Sequence, residues 1–246
     1  HGSAHPIVAK TITEIANLSL DREELGDATE LLQRAFDMAQ STLGDAHPLL
    51  AGVYDSIGRT TLALNQIEKA EQALLYAQKL RTEQFGEDHP FVADSLLSVA
   101  ALRSRQGDHA HAQTLANTAV TILAARLSPD HPRVAHAADM VGDYLQQQGK
   151  HDEARGWYLR ALKLRTDKLA PTHPAIAENL TRLGELALLA GNAQEAVQRL
   201  TEALTLRQRQ LIPEHPVILN HMESLAAACH AAGDTNAANV LKGQIA

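Results

Sequence analysis

Six histidines, each followed by proline, stand at His5, His47, His89, His131, His173 and His215, every interval being 42 residues. Histidine is the commonest metal ligand, so a column of six invites a metal site. The spacing excludes one. If each interval is a pair of helices, successive histidines lie roughly 20 Å apart, two helix diameters of ~10 Å, whereas zinc ligands sit about 2 Å from a single ion. The column reads instead as helix caps and linker packing. His109 and His111, two residues apart near a turn, make a weak metal pair, and His151 sits near another turn. The chain has no His-Glu-x-x-His, no Cys-x-x-Cys, no glycine-rich phosphate loop and no nucleophile–base arrangement. The expectation is a protein that is not an enzyme and takes no metal or cofactor.

A fixed period of this size means one supersecondary unit copied head to tail, which forms a solenoid and presents a long surface rather than a closed pocket. The units fall at 5–46, 47–88, 89–130, 131–172, 173–214 and 215–246, a single solenoid over 5–246, with 1–4 read as a tag remnant and leader. In the fourth unit, Pro132 suits a first helical turn, with His131 or Asp130 before it as cap. Val134, Ala138, Val141 and Tyr144 follow at helical spacing, and Gly149 fits a left-handed helix end. Ala154, Tyr158, Ala161, Leu162 and Leu169 then mark a second helix, so each unit is an antiparallel helix pair.

Composition bounds the role of such a stack. A net charge of −7 argues against a nucleic-acid surface, and no apolar run reaches the ~18–20 residues of a membrane span. Cys229, the single cysteine, cannot form an internal disulfide and reads as a small buried hydrophobe. A lone thiol fits a reducing compartment, and a cytoplasmic location is the expectation.

The columns across units locate the packing. Ala28, Ala70, Ala112, Ala154, Ala196 and Ala238 align early in the second helix, and Ala35, Ala77, Ala119, Ala161 and Ala203 align further on. In the first helix, Ala16, Gly58, Ala100, Gly142, Gly184 and Ala226 stay small, letting the two helices cross closely. Their neighbours Ile15, Ile57, Val99, Val141, Leu183 and Leu225 should fill the gap between units. Leu43, Phe85, Leu127, Leu169 and Leu211 should pin the linker. Glu23-Glu24 stands where later units place Gly107, Gly149, Gly191 and Gly233.

This pattern resembles the tetratricopeptide repeat (TPR), with Gly142, Ala154, Tyr158 and Ala161 at its signature positions. The usual 34-residue unit is lengthened to 42, which looks like the kinesin light chain type: His131-Pro132-x-Val134-Ala135, then Gln148-Gly149-Lys150, Glu153-Ala154 and Arg160-Ala161-Leu162. The resemblance implies an all-α, right-handed superhelical solenoid of six antiparallel helix pairs, with the first helix of each pair lining a concave groove. It also implies limits. Kinesin light chain grooves carry an Asn-Asn pair where this chain has Asp55-Ser56, Leu97-Ser98, Asp139-Met140 and Thr181-Arg182. The carboxylate clamp of chaperone-binding TPR domains meets Asp139 and Asp143 instead.

The groove stripe lies five, eight, twelve and fifteen residues after each histidine. It contains seven acids (Asp55, Asp94, Asp139, Asp143, Glu178, Glu185 and Glu223) against two bases, Lys10 and Arg59. Asp94 and Glu178 read as first-turn acids favoured by the helix dipole, and Asp55–Arg59 as an i,i+4 pair; Asp139, Asp143, Glu185 and Glu223 have no such local role. Clustered acids in a concavity favour a basic ligand. The candidate partner-binding residues are therefore Asp55, Arg59, Leu62, Asp94, Leu97, His136, Asp139, Asp143, Glu178, Glu185, Leu188 and Glu223. The expected function is a protein–protein interaction scaffold that takes a peptide or helical segment, basic by preference. The alternative is a sensor module that holds a signalling peptide and controls an effector domain. Expected partners are protein or peptide, neither nucleic acid nor membrane, with self-association through an open end as a further expectation.

Overall fold

The computed structural model describes residues 6–44 and 47–245. His5, the first of the histidine column, and the leader lie outside them. The described residues form twelve helices: α1 (Pro6–Asp21), α2 (Leu25–Leu43), α3 (Pro48–Ala63), α4 (Ile67–Phe85), α5 (Pro90–Arg105), α6 (His109–Arg126), α7 (Pro132–Gln147), α8 (His151–Lys168), α9 (Pro174–Leu189), α10 (Ala193–Gln208), α11 (Pro216–Ala231) and α12 (Thr235–Ile245). They divide into two compact units, His1–Pro129 and Asp130–Ala246. In the first unit the pairs are α1/α2, α3/α4 and α5/α6, joined through α2–α3 and α4–α5. In the second they are α7/α8, α9/α10 and α11/α12, joined through α8–α9 and α10–α11.

Proline of the His-Pro dipeptide opens all six leading helices, and five of the six histidines lie among the described residues. In these five, proline occupies the first turn and the histidine Nδ1 accepts the N–H two residues on, at 3.1–3.2 Å, from Leu49, Phe91, Arg133, Ala175 and Val217. The imidazole thus satisfies a backbone donor that a helix start leaves open. His131, not Asp130, is the cap of α7.

Each leading helix ends in one motif. The N–H groups of Glu24, Gln66, Asp108, Lys150, Asn192 and Asp234 reach back five residues to the carbonyls of Ser19, Thr61, Arg103, Leu145, Ala187 and Cys229, all at 2.8–2.9 Å. This Schellman closure needs a left-handed residue before the donor. Glycine supplies it in the last four units, while Glu23 (φ 62°) and Asn65 (φ 58°) adopt the same conformation in the first two.

The small-residue column is a contact column. A Cβ added to Gly142 would lie 2.5 Å from Cε1 of Tyr158, one on Gly58 2.5 Å from Leu74, and one on Gly184 2.6 Å from Leu200. Both alanine columns are closed from solvent. Phe85 stacks on His89 with centroids 4.6 Å apart and meets Phe91 edge-on, pinning the linker between the second and third pairs. Cys229 is buried in α11.

The gap-filling column holds with one exception. Val99, Val141, Leu183 and Leu225 are buried and Ile57 is half-buried, but Ile15 is exposed. Trailing helices cover this column, as α4 covers α5 and α8 covers α9. Among the described residues no such helix precedes α1.

Candidate partner-binding groove

In the first unit the stripe faces a hollow. Lys10, Thr13 and Asn17 from α1 join Gly52 and Asp55 from α3, Arg81 and Phe85 from the end of α4, and Phe91 from α5, around about 290 Å³. Leu49, Val53, Phe85 and Phe91 give it an apolar wall. Asn17 adds a polar atom that is closed from solvent and has no hydrogen-bond partner, Oδ1. Helical phase explains the convergence: steps of three and four residues keep these side chains on one face of each leading helix.

Asp55, however, is buried at the floor and belongs to a side-chain triad. Its Oδ1 lies 3.4 Å from Nη1 of Arg81, which donates to Oγ of Ser95 at 2.7 Å. The sequence pairing Asp55–Arg59 gives way to this one, and Arg59 instead stands 3.7 Å from Asp21. Eighty-four residues on, the triad recurs in the second unit. Asp139 Oδ2 is 2.5 Å from Arg165 Nη1, Asn179 Nδ2 donates to Asp139 Oδ1 at 2.5 Å, and Arg165 donates to the Asn179 amide oxygen. Asp139, Arg165 and Asn179 are all buried. Desolvation pushes the carboxyls of Asp55 and Asp139 above their ordinary range, with Arg81 and Arg165 respectively pulling back.

Asp143 is also occupied internally. It accepts from the Tyr158 hydroxyl at 2.8 Å and from Arg182 Nε at 3.1 Å, while Arg182 Nη1 pairs with Glu178 at 2.9 Å. Glu178 and Asp94 lie beyond the first turns of α9 and α5, so the dipole reading of them does not hold. With Arg81, Arg165 and Arg182 counted beside the stripe's own Lys10 and Arg59, its seven acids face five bases. The sequence stripe missed these arginines: two belong to trailing helices and the third lies one position past it.

Leu62 and Leu97 are buried rather than offered to a partner; Leu62 packs with Ala70, Leu74, Val99 and Leu102. Leu188 is half-buried, and Arg59, His136, Glu178, Glu185 and Glu223 are exposed. His136 has open surface but sits in a crowded recess. Desolvation there lowers its pKa, against the pull of Asp139. Glu185 accepts from Ser224 Oγ at 3.4 Å. Glu223 and His230 line a second recess of about 530 Å³ with Lys242 and Ile245.

Among the described residues no group of three or more His, Cys, Asp or Glu could hold a metal ion, and no helix is long and apolar enough to cross a membrane. His109 contacts Ser104 Oγ at 3.2 Å, and His111 lies 3.8 Å from Asp108.

Family models described as tetratricopeptide repeat match residues 8–49, 115–167, 133–209 and 175–241. Among solved structures, a kinesin light chain-like protein of nearly identical TPR-like repeats from Podosopora anserina is 23% identical with a TM-score of 0.70, covering 81% of this chain and 94% of that one. BtubC (BKLC) from P. vanneervenii is 20% identical with a TM-score of 0.67, covering 100% and 90%. The quorum sensor NprR from B. thuringiensis, in its apo form, is 15% identical with a TM-score of 0.71, covering 98% and 64%. A search of the curated proteins finds no match. The family matches span well over half the sequence, and the chain belongs to the tetratricopeptide repeat family.

Proposed function

We propose that this chain is a non-catalytic interaction module that holds an extended or helical segment of a partner protein against its leading helices. The observation that carries this reading is the hollow of the first unit. It joins an apolar wall of Phe85 and Phe91 to the polar side chains of Lys10 and Asn17, a combination that seats one apolar side chain with polar groups beside it. NprR has also been solved in complex with its cognate peptide NprX, so a stack similar to this one receives a peptide. The preference for basic segments rests on the exposed acids Glu185 and Glu223 of the second unit, because Asp55, Asp139, Asp143 and Glu178 are engaged by the chain's own arginines.

The test is anisotropy with labelled peptides, apolar-anchored and either basic, neutral or acidic, at low and high ionic strength. Gly52→Leu is the blocking variant. Nothing lies within 4 Å of a Cβ at Gly52, so the fold tolerates the side chain while the hollow is filled. Binding reduced about tenfold or more by Gly52→Leu supports the reading; binding indifferent to it, or none across the panel, overturns it. Glu185→Lys with Glu223→Lys should remove the preference for basic peptides. An acidic preference, or one insensitive to salt, sinks the electrostatic part.

A further inference from the structure

The apolar wall of the hollow is held in place from behind. Phe91, the second residue of α5, is exposed and lies in a first helical turn, where backbone gives way most readily. Three neighbours fix it. Its N–H donates to Nδ1 of the capping His89 at 3.1 Å. Its ring meets Phe85 edge-on at 5.4 Å, and Phe85 in turn stacks on His89. Its carbonyl lies 3.4 Å from Arg81 Nη1, the same nitrogen that donates to Ser95 Oγ at 2.7 Å and stands 3.4 Å from Asp55 Oδ1. Arg81 therefore ties α4 to α3 on one side and to the first two turns of α5 on the other. Stacking alone does not require this tie. One period on, the positions of Asp55, Arg81 and Ser95 hold the buried apolar residues Leu97, Leu123 and Ala137.

We propose that Arg81 is a positioning residue for the hollow: anchored by Ser95, it holds the Phe91 wall at a fixed distance from Leu49 and Val53 and so sets which apolar side chains the hollow accepts. This role rests on the hollow being the peptide site proposed above. A wall fixed through its backbone does not yield to fit each anchor, so it discriminates between anchors by shape. It is also ordered before the ligand arrives, which spares binding the cost of ordering it. Ser95 is fully closed from solvent, so its part in the tie is separate from any contact with a ligand.

The experiment titrates three neutral peptides that differ only in the anchor, leucine, phenylalanine or tryptophan, against the native chain, Ser95→Ala and Arg81→Lys, by anisotropy. Ser95→Ala installs the residue found one period on, at Ala137. Arg81→Lys keeps a charge beside Asp55 but replaces the planar fork with a point donor. Circular dichroism checks that both variants keep the fold. The native chain should separate its best anchor from its worst by about tenfold or more, and both variants should narrow that spread to about threefold or less. A spread unchanged in both variants overturns the proposal. So does a native chain that binds all three anchors alike, or an equal loss for all three, which a merely structural role would give. If no peptide binds the native chain, the peptide site falls and the positioning role falls with it. If peptides bind and Gly52→Leu blocks them while Ser95→Ala and Arg81→Lys leave the spread intact, only the positioning role falls.

Discussion

Arg165 on α8 and Asp139 on α7 form a buried ion pair, Nη1 to Oδ2 2.5 Å, closed by the amide of Asn179 from α9. Two charges out of water recover their desolvation cost only when every lone pair and proton finds a partner. The repeat carries its own control. The positions of Asp139, Arg165 and Asn179 hold Leu97, Leu123 and Ala137 one period earlier, all buried. Asp139→Ala should therefore destabilise by about 3–5 kcal/mol by stranding the guanidinium, whereas Asp139→Leu, Arg165→Leu and Asn179→Ala together should be neutral or stabilising by about 1–4 kcal/mol. Urea denaturation decides it: a triple variant as damaged as the single one would refute the account.

That alternation shows what could be read before coordinates and what could not. The period, the His-Pro caps and the alanine columns are each set by one residue type repeated in register, so helix pairs and their close crossings follow from local chemistry. The groove charge did not follow, since Asp55 and Asp139 look like stripe residues when α3 and α7 are read alone. Their arginines lie 26 residues away, in the trailing helices. A signal was present: where the leading helix has Asp55 or Asp139 the trailing one has Arg81 or Arg165, and where it has Leu97 the partner position is Leu123. Ile15 was misplaced for a different reason, because burial of that column depends on a neighbouring unit.

Gly142 and Tyr158 test the close crossing. A methyl group at Gly142 would stand 2.5 Å from the Tyr158 ring, itself fully buried and held by its hydroxyl at Asp143. Gly142→Ala should cost about 1–3 kcal/mol through overpacking. The third unit carries Ala100 and Ala116 at the same two positions. Gly142→Ala in a Tyr158→Ala background should therefore cost much less than in the native chain, a coupling that a double-mutant cycle measures. Additive effects would mean the two do not meet.

Glu23 and Asn65 hold the left-handed position that glycine takes in the other four units. A side chain there costs roughly 1–2 kcal/mol, less for asparagine. Glu23→Gly should stabilise the chain and Asn65→Gly should do so by less, while Gly149→Ala (φ 75°) should destabilise by about 1 kcal/mol. Chemical denaturation of the three variants gives the order; a stabilising Gly149→Ala would contradict it.

His221 links α11 to α9, with Nδ1 2.7 Å from Val217 O and Nε2 2.8 Å from Thr181 Oγ1. A carbonyl can only accept, so Nδ1 carries a proton; in the neutral ring the single Thr181 hydroxyl proton then has two acceptors, Nε2 and the Ala177 carbonyl 2.9 Å away. Burial lowers the pKa of His221 against the pull of the Val217 carbonyl, and desolvation lowers that of His136 against Asp139. As pH falls below the ordinary histidine value of about 6.5, the unfolded chain takes up protons that the folded chain refuses. The stability these groups contribute is complete above that value and lost as pH falls toward their folded pKa values. The buried carboxyls of Asp55 and Asp139 act with the opposite sign, since their raised pKa values favour the fold most at acid pH and that contribution fades as pH rises through them. Thermal melts stepped downward from pH 7.5 should thus show a falling midpoint below about 6.5, and His136→Gln with His221→Gln should flatten that decline. An unchanged slope in the double variant would assign it to other groups and leave these two rings without a part in the chain's acid sensitivity.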